Sequence, residues 1–227
     1  MILKDKLFSA FFPSITVCIG CKTKVEDISL PLCNSCHKEV DYYNLETICY
    51  RCGRVYHGGK CPAPNIGKVM ALAPYRGYWK EALNLFKFKN NRYLAEGFSK
   101  KAVSFLPNHI MEDIDLITFV PVTAQGLKER GFDQSYLLAK KLSKKTNIPY
   151  INSLVKNDTR SPQRFLDRRE RFKNWDGVIT VVNKDKIKGK KLLILDDVYT
   201  TGSTLFHCAN ALKGAGAIEI TAFTLAN

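Results

Sequence analysis

Leu192-Leu193-Ile194-Leu195-Asp196-Asp197-Val198-Tyr199-Thr200-Thr201-Gly202-Ser203-Thr204 is the stretch that decides the fold. Four aliphatic residues in a row predict a buried strand, and the two acids with the Thr/Gly/Ser run predict a polar loop after it. Leu205, Ala209 and Leu212 then recur at helical spacing. The unit is strand, loop, helix. Backbone N–H groups at such a helix start, the positive end of its dipole and the hydroxyls of Thr200, Thr201, Ser203 and Thr204 suit a phosphate. Gly202 lets a ligand come close to the backbone. Asp196 and Asp197 repel phosphate but accept hydrogen bonds from vicinal hydroxyls, so a ribose 5-phosphate satisfies both halves of the loop.

These thirteen positions resemble the signature of the type I phosphoribosyltransferases, which bind 5-phosphoribosyl 1-pyrophosphate (PRPP). The resemblance implies PRPP contacts along Asp196, Asp197, Val198, Tyr199, Thr200, Thr201, Gly202, Ser203 and Thr204.

Elsewhere strands and helices alternate. Strands are expected at Val69–Tyr75, Ile114–Val120, Val178–Val182, Lys191–Leu195 and Ala217–Leu225, and helices at Tyr78–Phe86, Tyr93–Leu106 and Ser135–Lys145. Residues 121–134 read as a polar loop carrying cations, and Asp158–Lys173, with five arginines, as a mobile excursion. The alternation implies an α/β fold with a mainly parallel sheet and a ligand at the strands' carboxyl ends.

Seven of the eight cysteines lie within residues 18–61. Cys18-x2-Cys21 and Cys33-x2-Cys36 have the spacing of paired zinc knuckles, each pair supplying one edge of a tetrahedron. A nucleotide-type ligand points to a reducing, cytoplasmic setting, which favours metal over disulfides. Cys49, Cys52, His57 and Cys61 form a second candidate set that lacks its second CxxC motif. The division expected is a Cys-rich zinc-binding domain over 1–66 and a larger domain over 67–227, with the small one dependent on metal for folding.

The net charge of +14 is uneven: residues 1–66 carry +2 and the remainder +12. Such an excess suits a polyanionic partner, most simply nucleic acid. No apolar run reaches the roughly 18 residues of a membrane span. Leu7–Pro13 imitates a signal peptide, but Pro13 interrupts it and no small-residue cleavage site follows, so a short packed helix is expected.

Together, the CxxC pairs, Arg130-Gly131-Phe132-Asp133-Gln134, Gln163-x2-Leu166-x4-Arg171-x2-Asn174 and the Asp196-Asp197 loop resemble the ComF family of competence-associated, phosphoribosyltransferase-like proteins. Asp133 stands where that family usually has Asn, and Gly126 where it often has Arg. The resemblance implies a type I phosphoribosyltransferase fold behind a zinc finger, PRPP bound with Mg2+, and a role in natural transformation. That role is the cytosolic handling of incoming single-stranded DNA, with a competence DNA translocase or helicase as a further partner.

Arg130 and Lys87 are the candidates for the pyrophosphate side, with Asp196 and Asp197 stabilising charge that develops at the sugar. Gln163–Asn174 is expected to close as a lid. No residue declares itself as an acceptor-binding group. A DNA-contacting surface is expected along the Arg-rich excursion, Lys87, Lys89 and Arg92, with Phe86, Phe88 and Tyr93 for stacking. The alternative is a phosphoribosyltransferase of nucleotide metabolism, in purine salvage or amido transfer, although no glutaminase segment is present.

Overall fold

The computed structural model of the protein describes residues 17–25, 30–43, 66–88, 91–157 and 178–227. The expectations for Leu7–Pro13, for Cys49, Cys52, His57 and Cys61, for Lys89, for the excursion 158–173 and for the lid 163–174 fall outside these residues.

Four strands form a parallel sheet: β1 (Lys68–Ala73), β2 (Leu116–Phe119), β5 (Lys191–Val198) and β6 (Glu219–Ala226), in the order β1-β6-β5-β2. β5 lies between β2 and β6, with Leu116↔Leu192 on one side and Leu192↔Ile220 on the other. Side chains alternate along a strand, so Leu193 and Leu195 enter one core while Leu192 and Ile194 enter the other. All four are fully buried. At about 1.5–3 kcal/mol each, they contribute on the order of 10 kcal/mol before entropy is counted.

Helices α2 (Gly77–Phe88), α3 (Leu94–Phe105) and α6 (Gln134–Thr146) cover the first face. Trp79, Phe86, Phe98, Leu138 and Leu142 are fully or almost fully buried there. The second face packs against α8 (Ser203–Gly214) through Leu205, Cys208, Ala209 and Leu212, and against Ile187 of α7 (Lys184–Ile187). A short α4 (Asn108–Met111) leads into β2.

β3 (Leu154–Lys156) and β4 (Ile179–Val181) pair antiparallel outside the main sheet. Residues 149–151 run along β2, Ile117 N–H donating to Pro149 O and Ile151 N–H to Ile117 O.

In the N-terminal region a tight turn joins Val17 to Lys24, and α1 (Asn34–Lys38) starts within the second CxxC, with Cys33 at its N-cap and Cys36 in the helix. This region packs on the larger one. Tyr42 meets Trp79 edge-on at 5.4 Å, Tyr43 N–H donates to Leu72 O, and Tyr43 Oη donates to Asn227 Oδ1.

Two expectations are corrected. β5 continues three residues past Leu195, so both acids sit on the strand and not in the loop. Residues 121–134 are not all loop: α5 (Ala124–Arg130) forms within them, Thr123 capping it by accepting from Gly126 N–H and Gly131 ending it at φ 75°. Its seven residues present no buried side chain, so no apolar period announced it. The strand at β3 carried too few residues to stand out.

Phe86 is fully buried and lies 5.2 Å from Phe98 and 5.8 Å from Phe132 by ring centroids. Phe86→Ala is expected to lower unfolding free energy by about 3–5 kcal/mol, measured by urea titration. A loss under about 1 kcal/mol would place the ring outside the core.

Candidate functional site

At the carboxyl ends of β2 and β5 lies a cavity of about 350 Å³, lined among others by Lys87, Thr123, Arg130, Asp133, Lys156, Asp196, Asp197, Thr200 and Thr204. A smaller cleft beside it is lined by Asp196 and residues 198–205. The fold thus collects the residues that the sequence nominates for the sugar-phosphate, from three separate segments, around these two adjoining clefts.

Asp196 and Asp197 are consecutive on a strand, so their carboxylates diverge. Asp197 Oδ2 pairs with Lys87 Nζ at 3.1 Å, both side chains being largely buried. Lys87 is thus engaged with a carboxylate, at the end of α2. Asp196 Oδ1 accepts from Asp197 N–H at 2.8 Å and from Ser135 Oγ at 3.3 Å. Burial, then the charge of Asp197, pushes the Asp196 carboxyl up to about 7. Near neutral pH it exchanges its proton readily, and a ligand hydroxyl or cation favours the ionised form.

The loop after β5 has the features of an anion cradle. Gly202 adopts φ 77°, and a Cβ there would lie 2.1 Å from Tyr199 Oη, so only glycine fits. Tyr199 itself is buried in the apolar core beneath the loop. No side chain caps α8 at Gly202, and the only side-chain partner of a first-turn N–H among the described residues is Thr201 Oγ1, a long 3.4 Å from Ser203 N. Ser203 Oγ is buried and has no hydrogen-bond partner. A phosphate oxygen at this helix start would satisfy these groups.

On the opposite wall, Arg130 Nη1 donates to Gln134 Oε1 at 3.3 Å, and Gln134 Nε2 donates to Lys87 O at 3.2 Å. Asp133 caps α6 by accepting from Tyr136 N–H and also accepts from Val122 N–H. Burial raises its carboxyl above the usual range despite these N–H donors, and the charge of Asp197 adds to the rise. A Cβ at Gly126 would lie 2.7 Å from Val122 Cγ2, so this turn has no room for an arginine without displacement.

Sequence reasoning missed Ser135, Lys156 and Thr123. Ser135 and Thr123 were hidden by helix starts that read as plain strand–helix punctuation, and Lys156 by a strand too short to recognise.

The DNA-contacting surface expected from the sequence is corrected in part. Phe86 is core, Lys87 is paired with Asp197, and Arg92 donates to Gly131 O with its guanidinium 5.3 Å from the Phe132 ring centroid.

Some distance away, Cys18, Cys21, Cys33 and Cys36 bring their four sulfurs within 4.8 Å of one another. Four thiolates around zinc at about 2.3 Å stand about 3.8 Å apart, so the cluster fits a structural metal with small contraction. The turn is set by Cys18 N–H donating to Thr23 O, and Cys33 Sγ caps α1. Hydrogen bonds from Thr23 bring the Cys21 thiol down to about 6, whereas burial and the neighbouring thiols push Cys36 up to about 12. A cation at the centre removes that conflict by binding all four as thiolates. A Cβ at Gly20 would lie 2.8 Å from Cys36 Sγ and 3.1 Å from the Tyr78 ring.

Among the described residues no helix is long and apolar enough to cross a membrane.

Asp196 generates a pH prediction. Its folded value of about 7 exceeds the ordinary 3.8, so ionisation destabilises the fold above pH 7, and that loss fades as pH falls toward 4. Asp196→Asn is therefore expected to be more stable than the parent near pH 8, by on the order of 2–4 kcal/mol, with the gap closing near pH 4–5. Denaturant titrations at both pH values read it, and a gap independent of pH would contradict the assignment.

No family model matches the chain. The chain is 28% identical over 218 residues to Competence protein F of Haemophilus influenzae, covering 92% of this chain and 90% of that one. It is 24% identical over 226 residues to Competence protein ComFC of Bacillus subtilis, covering 98% and 90%. DNA utilization protein YhgH of Escherichia coli is 26% identical over 189 residues, covering 77% and 82%.

Among solved structures, glutamine PRPP amidotransferase from B. subtilis overlaps at a TM-score of 0.39 with 20% identity, over 66% of this chain and 28% of that one. Purine phosphoribosyltransferase from Pyrococcus horikoshii overlaps at 0.36 with 25% identity, over 56% and 72%. Both structural likenesses are loose. Two of these sequence relatives extend over nearly the whole chain, and they support its resemblance to the ComF family of competence proteins.

Proposed function

We propose that the protein binds PRPP with Mg2+ in the cavity at the carboxyl ends of β2 and β5 and acts in natural transformation, in the handling of incoming single-stranded DNA. One observation carries the ligand: a paired-acid strand end adjoins an uncapped helix start with a buried, unpartnered hydroxyl. Thr200, Thr201, Gly202, Ser203 and Thr204 hold the 5-phosphate. Asp196 and Asp197 accept from the ribose hydroxyls, Asp197 exchanging its bond from Lys87. Lys87, so released, and Arg130 face the pyrophosphate. Mg2+ bound to the pyrophosphate supplies charge neutralisation. It matters here because the cavity's lysines and arginine are offset by three carboxylates.

If transfer occurs, the carboxylates stabilise positive charge developing at the sugar carbon while the cations hold the leaving group. The names of the competence and DNA-utilization relatives support the cellular role. The basic excess of the chain supports a polyanionic partner. The four-thiol cluster holds zinc as a structural metal, and the domains divide near residue 66.

Calorimetric titration with PRPP, with and without Mg2+, tests the ligand. The Asp196→Asn/Asp197→Asn variant is expected to lose binding by at least about 100-fold, two charge-assisted bonds being removed. Its zinc content should remain at the parent level. Unchanged affinity in that variant would sink the reading. Pyrophosphate release with a nucleobase acceptor would favour the nucleotide-metabolism alternative.

Zinc content has its own expectation. Cys18→Ser/Cys36→Ser should lose one equivalent of zinc by elemental analysis, and an unchanged content would exclude the cluster as a zinc site.

A further inference from the structure

The chain from Gln134 to Asn157 carries five lysines and no acidic residue. Glu96 neutralises two of them, pairing with Lys141 at 3.1 Å and Lys145 at 2.5 Å. Lys140 and Lys144 remain exposed, one helical turn apart on α6. Beside them Tyr136 and Tyr150 form a ring pair with centroids 6.0 Å apart, and Lys140 Nζ stands 6.0 Å from the Tyr136 ring. Tyr150 is 37% exposed, and Tyr136 is backed edge-on by Phe119 at 5.5 Å. At one end of this segment Gln134 and Ser135 line the cavity, and at the other Lys156 does.

We propose that the strip Tyr136, Lys140, Lys144 and Tyr150, on a segment with no acid of its own, is the docking surface for single-stranded DNA, leading away from the rim of the cavity. The proposal rests on the reading of single-stranded DNA as partner and adds where it binds. Exposed cations follow a phosphate backbone, and a partly exposed, braced tyrosine offers a base a stacking face with little side-chain entropy to lose. A duplex has no unstacked base to offer that ring.

The other lysine-rich segment, Lys184 to Lys191, has no aromatic residue and is interleaved with acids: Lys190 pairs with Asp115 and Lys191 with Asp113. It lies at the amino ends of the strands, away from the cavity. It therefore serves as a charge-matched control.

Fluorescence anisotropy of labelled oligo-dT with the full chain tests the placement. Lys140→Glu/Lys144→Glu is expected to weaken binding at least about tenfold and to flatten the salt slope by about 1.4, as for two lost phosphate contacts. Lys186→Glu/Lys188→Glu should weaken it less than about threefold, since remote charges are screened. Tyr150→Ala should weaken it roughly 5- to 50-fold, the size of one lost stack, while Tyr150→Phe keeps the ring and should stay within about twofold.

Thermal transitions and PRPP binding of the strip variants should match the parent, separating lost contact from lost fold. Equal losses in both lysine pairs, or unchanged binding in Tyr150→Ala, would overturn the surface while leaving the partner in place. Equal affinity for duplex and single strand would overturn the stacking role. A parent protein that binds no oligo-dT would overturn the partner and the surface together.

Discussion

The parallel pairing of β5 with β2 and β6 is the constraint on which the rest of the molecule depends. Flanked on both edges and covered on both faces, the Leu192–Leu195 run has only one register that buries all four side chains. A slip of one residue would exchange the faces and carry the acids with them. That register delivers Asp196 and Asp197 to the sheet's carboxyl edge, next to the end of β2 and the start of α8. Position there decides chemistry. A carboxylate held in a partly dry wall beside a second carboxylate becomes a weak acid that a polar ligand can ionise.

α2 links the two chemical centres of the molecule. Near its start Tyr78 packs against the cysteine cluster, and Trp79 donates from its indole N–H to Leu225 O at 2.6 Å. Phe86 anchors its far half in the core, and Lys87 then reaches Asp197. The thiol cluster and the cavity thus both contact one helix, α2, near its two ends. The substitutions that depart from the family's habit also find physical reasons. Asp133 caps α6 as Asn would, at the expense of an added charge facing Asp197, and Gly126 avoids Val122 and Thr123.

Much of this was legible in the residues because local rules and global fold agree there. The aliphatic run before the acids, the Gly202 turn and the CxxC spacing each admit few conformations, and the structure realises them. Elements without an apolar period were not legible. α5 is held by caps and presents no buried face, and β3 has three residues. Phe86 and Lys87 illustrate the other failure: aromatic next to cation suits either a nucleic-acid surface or a core edge with an ion pair. Only the packing of α2 on the sheet decides between them.

The sequence by itself determined the strand–loop–helix unit, the phosphate-suited helix start, the four-cysteine set and the α/β alternation, since each follows from periodicity, backbone freedom or ligand spacing over a few residues. Tertiary structure alone decided which distant groups face the acids. Lys87, Ser135, Arg130 and Lys156 come from four segments, and only the strand order and the helices packed over it bring them within one cavity. It also decided that Lys141 and Lys145 pair with Glu96 while Lys140 and Lys144 stay exposed. Charge pairing across helices depends on distances in space that no local pattern encodes.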